Sequence, residues 1–215
     1  MRVPIAAEGW PFIFPAAALA CILAVMGWWT ATAILAAGAL ACLGFFRDPE
    51  RMTPDVAGAV LAPADGKVMG IASVDDAWVG DAVRLSIFLS PLDVHINRTP
   101  IGGLVRSVEY AAGEFKAAWK AEASEVNERC TLALEADATR VAVRQIAGTL
   151  ARRIVCRART GDKLAAGQRY GLIRFGSRTD LFVPRDAALR VRVGDRVRGG
   201  ESIVAMLGEA ESGGR

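Results

Sequence analysis

From Gly9 to Phe46 the chain carries no Asp, Glu, Lys or Arg, a gap of 38 residues. Its 26 basic and 23 acidic side chains all lie outside that window, so the sequence joins two materials. A purely soluble protein of one composition is not expected. Imidazole is nearly absent as well: His95 is the single histidine among 215 residues. A metal site built from several histidines is therefore excluded, and no metal is expected. The four cysteines, Cys21, Cys42, Cys130 and Cys156, show no zinc-ligand or redox-pair spacing. They read as small buried hydrophobes in a reducing compartment. Aromatic residues make up 7% of the chain and no nucleic-acid-binding signature is present, so a nucleic acid is not an expected partner.

What is present begins with the apolar window itself. One membrane-crossing helix needs about 20 apolar residues, so 38 is long for one crossing and tight for two. Gly27-Trp28-Trp29-Thr30 lies at the middle, a glycine that tolerates a turn beside tryptophans suited to the headgroup level. The expectation is a helical hairpin with arms at residues 11–27 and 30–46, within an anchoring segment 1–48. Pro11 and Pro15 fall near its start, where a missing backbone N–H costs little. Each arm is short for a span, which leaves crossing the bilayer and dipping into it both open. Arg2 precedes the hairpin, Arg47 and Arg51 follow it, and the turn is uncharged. The positive-inside rule then puts both ends, and the domain 49–215, on the cytoplasmic side of the cell membrane. The basic residues are 22 Arg and only 4 Lys. Between Arg140 and Arg178, nine Arg and Lys163 stand against one acid, Asp162, for a local charge of +9. That stretch reads either as a solvated face or as a surface for the anionic lipids of the inner leaflet, because Arg grips phosphate in a bidentate way.

After Pro49 the pattern changes to period two. Leu189-Arg190-Val191-Arg192-Val193 and Arg140-Val141-Ala142-Val143-Arg144 alternate apolar and polar, as half-buried strands do. Further strands are expected at 67–74, 83–89, 103–110, 129–135, 152–158, 169–175 and 202–207, separated by Gly, Pro and Asp turns. Such spacing predicts a mainly β fold, a barrel or sandwich. Residues 113–129, rich in Ala and Glu, suit a helix or a long ordered loop equally. Ala62-Pro63-Ala64-Asp65-Gly66-Lys67-Val68 and the stretch from Val193 to Val204 resemble the first strand and the closing hairpin of biotinyl or lipoyl carrier barrels. No lysine stands between methionines in a hairpin, as a carrier's modified lysine does, so that likeness concerns the fold alone.

Three places bear chemistry: Asp65 on a turn beside Gly66, His95 after an apolar strand, and Ser177 in Phe175-Gly176-Ser177-Arg178, read as a strand meeting a turn. A hydroxyl, an imidazole and a carboxylate suffice for nucleophilic catalysis when they meet in space. Spacing alone leaves each of them equally readable as a core or turn residue.

The strings Ala62-Pro63-Ala64-Asp65-Gly66, Leu89-Ser90-Pro91-Leu92-Asp93-Val94-His95-Ile96-Asn97-Arg98, Asn127-Glu128-Arg129 and Arg174-Phe175-Gly176-Ser177-Arg178 occur in this order. Together, from about Phe46 to Leu207, the chain resembles the phosphatidylserine decarboxylase family in its short bacterial and archaeal form. The longer bacterial form has a second His where Arg98 stands, and Leu-Gly-Ser-Thr where Phe175 to Arg178 stand. The resemblance implies an enzyme that makes its own cofactor. Ser177 attacks the Gly176 carbonyl, with His95 as base and Asp65 orienting the imidazole. The chain splits between 176 and 177 into a β chain (1–176) and an α chain (177–215), whose first residue becomes a covalent pyruvoyl group. That group condenses with the serine headgroup and accepts electrons as CO2 leaves, and His95 is the candidate proton donor. Neither pyridoxal phosphate nor a metal is implied. The implied partners are the phospholipid, the membrane and the two paired chains, with further dimerisation open. Arg98 and Arg178 are candidates for the lipid phosphate. Two other readings remain: a membrane-tethered hydrolase using Ser177, His95 and Asp65 without self-cleavage, and a carrier-like barrel without activity. No Gly-x-Ser-x-Gly elbow supports the hydrolase.

Overall fold

The computed structural model describes residues 4–120, 122–149, 153–174 and 177–208. Contacts divide the chain into two compact units, Met1–Glu50 and Arg51–Arg215.

In the first unit a 3-10 turn at Ala7–Gly9 leads into α1 (Trp10–Val25), and α2 (Trp29–Phe45) packs against it. Gly27 makes the connection at φ +78°, a conformation that carries no penalty only without a Cβ. The open ends are tied together: Ala6 N–H donates to Phe46 O at 2.8 Å and Asp48 N–H to Pro4 O at 2.7 Å. Arg47 Nη1 donates to Gly44 O at 2.6 Å, a cation satisfying a carbonyl at a helix C-terminus. Pro11 sits in the first turn as expected. Pro15 does not: it lies inside α1, where it leaves the Pro11 carbonyl without its helical donor. Phe14, Val25, Trp29 and Ile34 are exposed, so the apolar side chains are not gathered on one hidden face. Ala7–Val25 is long and apolar enough to cross a membrane, whereas Trp29–Phe45 is shorter.

The second unit runs β1 (Ala59–Leu61), β2 (Gly66–Asp76), β3 (Gly80–Leu89), β4 (Ile96–Arg98), β5 (Gly103–Ala111), the single-turn α3 (Ala123–Val126), β6 (Arg129–Ala136), β7 (Thr139–Ile146), β8 (Ile154–Cys156), β9 (Lys163–Leu164), β10 (Arg169–Ile173), β11 (Ser177–Pro184), β12 (Ala188–Leu189), β13 (Arg196–Val197) and β14 (Ile203–Met206). Eight strands form a curled sheet in the order β13-β2-β3-β11-β7-β6-β5-β9. Two smaller sheets, β1-β14-β12 and β4-β10-β8, complete a mainly β domain. Irregularities at Val68/Gly70 and Val105/Ser107 shift the register, the kind of bulge that bends a strand. Alternation places Val83, Leu85 and Ile87 of β3, Leu132 and Leu134 of β6, Val141 and Val143 of β7, and Leu181 and Val183 of β11 in one buried cluster. Each such side chain contributes about 1.5–3 kcal/mol on burial.

Several expectations need correction. The alternating run 189–193 is not one strand: β12 ends at Leu189, pairing Ala188 with Met206 and Leu189 with Ala205. Its polar residues are the arginines of a turn that reverses at Gly194, φ +103°. Ser177 does not lie on a turn; it opens β11, a central strand buried nearly throughout. Of residues 113–129, the described ones before β6 are mostly loop, with the one turn of α3. Asn127 clamps that loop, accepting from Lys116 N–H and donating to the carbonyls of Lys116 and Ala147.

Candidate active site

Three segments meet at the C-terminal end of β3. Ser177 pairs with Leu89, the last residue of that strand. Lys67 pairs with Phe88, which brings the preceding Asp65-Gly66 turn to the same end. Gly66 is required there, because a Cβ would stand 2.2 Å from the Phe88 carbonyl oxygen. From Leu89 the chain turns through residues 90–95 into β4, and Ile173 of β10 donates its N–H to the His95 carbonyl at 3.3 Å. Ser177 follows Ile173 by four residues, so the chain holds it within roughly 14 Å of that contact. The other half of the expected cleavage site, Gly176, and its neighbour Phe175 lie outside the described residues. β4 is fastened to the Asp65 turn as well, with Arg98 N–H donating to Pro63 O at 2.9 Å.

The three expected residues differ in environment. Ser177 is 0% exposed, and its Oγ has no hydrogen-bond partner among the described residues. His95 is 2% exposed, and its Nδ1 lies 2.9 Å from the Asp93 carbonyl oxygen. A carbonyl only accepts, so Nδ1 carries the hydrogen and Nε2 carries the lone pair of the neutral ring. The expected orienting contact from Asp65 is thus supplied at Nδ1 by the backbone two residues away, which the turn at 90–95 folds back onto the ring. Asp65 itself accepts from Arg51 Nη2 at 2.8 Å and from Gly199 N–H at 2.8 Å. Burial pushes its carboxyl above the usual range; Gly199 N–H and Arg51 pull it back in part, and the negative charge of Asp93 adds to the rise.

Arg51 reaches Asp65 and Glu201 together, at 2.8 and 3.0 Å, and is 9% exposed. Its charge therefore belongs to this site, not to the membrane flank that the sequence suggested. Arg178 is 3% exposed and equally committed. Its Nε donates to Asp180 at 2.6 Å, its Nη2 to Ser86 Oγ at 2.7 Å, and its Nη1 to Lys120 O at 3.4 Å. Ser124 completes the cluster by donating to Asp180 Oδ2 at 2.6 Å. Arg98 is buried and donates from Nη1 to Gly167 O at 3.0 Å. Arg144 lies 3.7 Å from Asp76, so the arginine-rich stretch is not a single solvated face.

Sequence reasoning also passed over a thiol pair. Cys130 on β6 and Cys156 on β8 belong to different sheets but influence each other, which pushes the Cys130 thiol up and lowers that of Cys156, whose Sγ donates to Ala158 O at 3.9 Å. No short-range motif announces two residues brought together by strand packing. Among the described residues no group of His, Cys, Asp and Glu could hold a metal ion.

The family model for phosphatidylserine decarboxylase matches residues 39–205, spanning all three segments. Relatives cover nearly the whole chain. The phosphatidylserine decarboxylase proenzyme of Symbiobacterium thermophilum is 50% identical over 211 residues, covering 96% of this chain and 98% of its own. That of Nocardia farcinica is 48% identical, over 95% of this chain and 88% of its own. That of Desulfotalea psychrophila is 44% identical, over 96% and 98%. With this coverage, and with the buried serine and histidine in segments that the family model matches, the chain belongs to the phosphatidylserine decarboxylase family.

Proposed function

We propose that this chain converts phosphatidylserine to phosphatidylethanolamine and CO2, using a pyruvoyl group that it makes from its own Ser177. The observation that carries this reading is the burial of Ser177, with its hydroxyl unpartnered among the described residues. A hydrolase nucleophile must be reached by an outside substrate. A hydroxyl that attacks the peptide bond before it needs no access. The residues fit a self-made group, because an orphaned buried hydroxyl is costly to keep and has no partner to release before it reacts.

In the processing step Ser177 Oγ attacks the carbonyl carbon of Gly176, and His95 Nε2 takes the hydroxyl proton. The Gly176–Ser177 peptide C–N bond breaks, the proton passes to its nitrogen, and an ester replaces the amide. Loss of the Ser177 α-proton then expels the Gly176 carboxylate, which divides the chain into 1–176 and 177–215; the dehydroalanine left at 177 tautomerises to an imine, and one water hydrolyses it to the pyruvoyl ketone with release of ammonia. Once formed, the pyruvoyl group supplies an electron sink beside the carboxylate to be lost. His95 Nε2 is the atom we assign to hold the proton that returns to the substrate carbon. Asp65, an acid at the same end of β3, is assigned to balance the imidazolium charge. Arg98 and Arg178 remain candidates for the lipid phosphate, although a phosphate must compete there with Gly167 O, Asp180 and Ser86. The 177–215 chain would stay in place, since β11 is hydrogen-bonded on both sides, to β3 and β7.

The anchoring segment 1–48 suits a lipid substrate. A tethered domain meets headgroups at an effective concentration in the mM range. We place the domain 49–215 on the cytoplasmic side, from Arg2 and Arg47, which flank the hairpin.

The reading is tested by incubating the protein with phosphatidylserine vesicles and following CO2 and lipid products. Phosphatidylethanolamine and CO2 in equal amounts, absent with Ser177→Ala, are expected. Released fatty acid or free serine without CO2 would favour the hydrolase instead.

A further inference from the structure

Thr179 stands two residues beyond Ser177 on β11, so both side chains project from the same face of the sheet. Asn97 stands two residues beyond His95, on β4. These two strands belong to different sheets. One hydrogen bond joins them: Asn97 Nδ2 donates to Thr179 Oγ1 at 3.1 Å. A second fixes the first: Gln145 Nε2, from β7, donates to Asn97 Oδ1 at 2.8 Å. Gln145 is itself the register partner of Thr179, so the three residues close a loop. Thr179 and Asn97 are 0% exposed and Gln145 is 1% exposed. Room for the Gln145 amide is kept by Gly171, whose missing Cβ would stand 3.0 Å from Gln145 Nε2 and 2.2 Å from Val155 O.

A buried amide–amide–hydroxyl chain is costly unless satisfied, and an apolar trio of the same volume would pack without that cost. Its position suggests what it is for. We propose that Gln145, Asn97 and Thr179 are positioning residues that fix the separation between the strand that opens with Ser177 and the strand that directly follows His95. The network is neutral, so it orients without adding charge beside the base. It also directs polarity: the Asn97 donor occupies a lone pair of Thr179 Oγ1, which leaves the Thr179 hydroxyl hydrogen free to turn elsewhere on the Ser177 face. A shift of about 1 Å between reacting groups costs on the order of a hundredfold in rate. Loss of one link should therefore slow the chain split far more than it loosens the fold. The inference rests on the self-processing reading.

The test uses the full chain, made in a cell-free reaction and sampled by mass spectrometry as it matures. Thr179→Val and Gln145→Met keep volume and remove one link each. Both are expected to split at least tenfold more slowly than wild type, with a Tm lowered by less than about 10 °C. Thr179→Ser, which restores the hydroxyl, is expected to return the rate to within threefold of wild type. If Thr179→Val does not fold, Gln145→Met and Thr179→Ser carry the comparison. Folded variants that split at the wild-type rate would overturn the proposal, and so would a Thr179→Ser chain as slow as the Gln145→Met chain. A wild-type chain that never splits, like Ser177→Ala beside it, would instead contradict the self-processing reading and take this inference down with it.

Discussion

Ser177 and Arg178 are neighbours in the chain but stand on opposite faces of β11, in surroundings of opposite kind. On the Ser177 face the polar atoms are neutral: a hydroxyl without a partner, then Thr179, Asn97 and Gln145 joined by amide hydrogen bonds. On the Arg178 face they are ionic: Arg178 and Asp180 pair at 2.6 Å, with Ser86 and Ser124 closing the remaining bonds. The contrast has a physical sense. An ion next to a hydroxyl that, in the proposed reading, gives its proton to His95 would bias the base, whereas neutral amides hold position only. Charges serve where strength of attachment is wanted, and Ser124 and the Lys120 carbonyl tie the loop before β6 to the central strand. In the proposed reading, one strand carries reactivity on one side and anchorage on the other.

That division can be broken from either side. The largest effect is expected from Ser177→Ala: no chain split and at least a thousandfold loss of decarboxylation, read by mass and by CO2 release. Its stability should be unchanged or slightly higher, since the lost hydroxyl is an unsatisfied buried group. Asp180→Ala attacks the other face. It leaves the Arg178 guanidinium buried without its counter-charge, which costs about 3–5 kcal/mol. The Tm should fall by roughly 6–20 °C, and the split in protein that remains folded should persist. A folded Asp180→Ala chain that loses processing at unchanged Tm would erase the distinction between the faces. Ser124→Ala should repeat this at smaller scale, about 1–3 kcal/mol for one hydrogen bond to a charged group, seen by denaturant unfolding.

The smallest effect concerns Asp65 and depends on pH. Its folded carboxyl titrates above the ordinary 3.8 because burial disfavours the ion. The fold therefore prefers the protonated acid. This group's stabilisation is fully present below pH 3.8 and is lost as pH rises through the raised value. Asp65→Asn cannot ionise, so its Tm should gain on wild type as pH climbs from about 4 to 7. Its chain split should be slower throughout. A Tm difference that does not change with pH would contradict the burial argument.

Much of the architecture was readable from residue order. Val83, Leu85 and Ile87 of β3 and Val141 and Val143 of β7 recur at every second residue because one face of each strand meets the apolar cluster. The helical hairpin follows from a charge gap with a glycine at its centre. β11 escaped because Ser177, Arg178, Thr179 and Asp180 look like a turn. They make a central strand only because both faces supply partners from β3, β4 and β7, which no local pattern reveals. Arg51 misled for the same reason. In one dimension it follows an apolar run; in space it neutralises Asp65 and Glu201. Asp65, His95 and Ser177 were singled out from short strings, yet the hydrogen bond at His95 Nδ1 was not, since it depends on how residues 90–95 fold back. The Asn97–Gln145–Thr179 chain was invisible altogether, being built from three strands far apart in sequence.

The most direct test of the central claim is the intact mass of the purified wild-type protein. The account predicts two chains, residues 1–176 and a 39-residue remainder of the 215, the second beginning with a ketone that borohydride reduces by two hydrogens. A single chain of full mass with an unmodified Ser177, from protein that is folded, would contradict it.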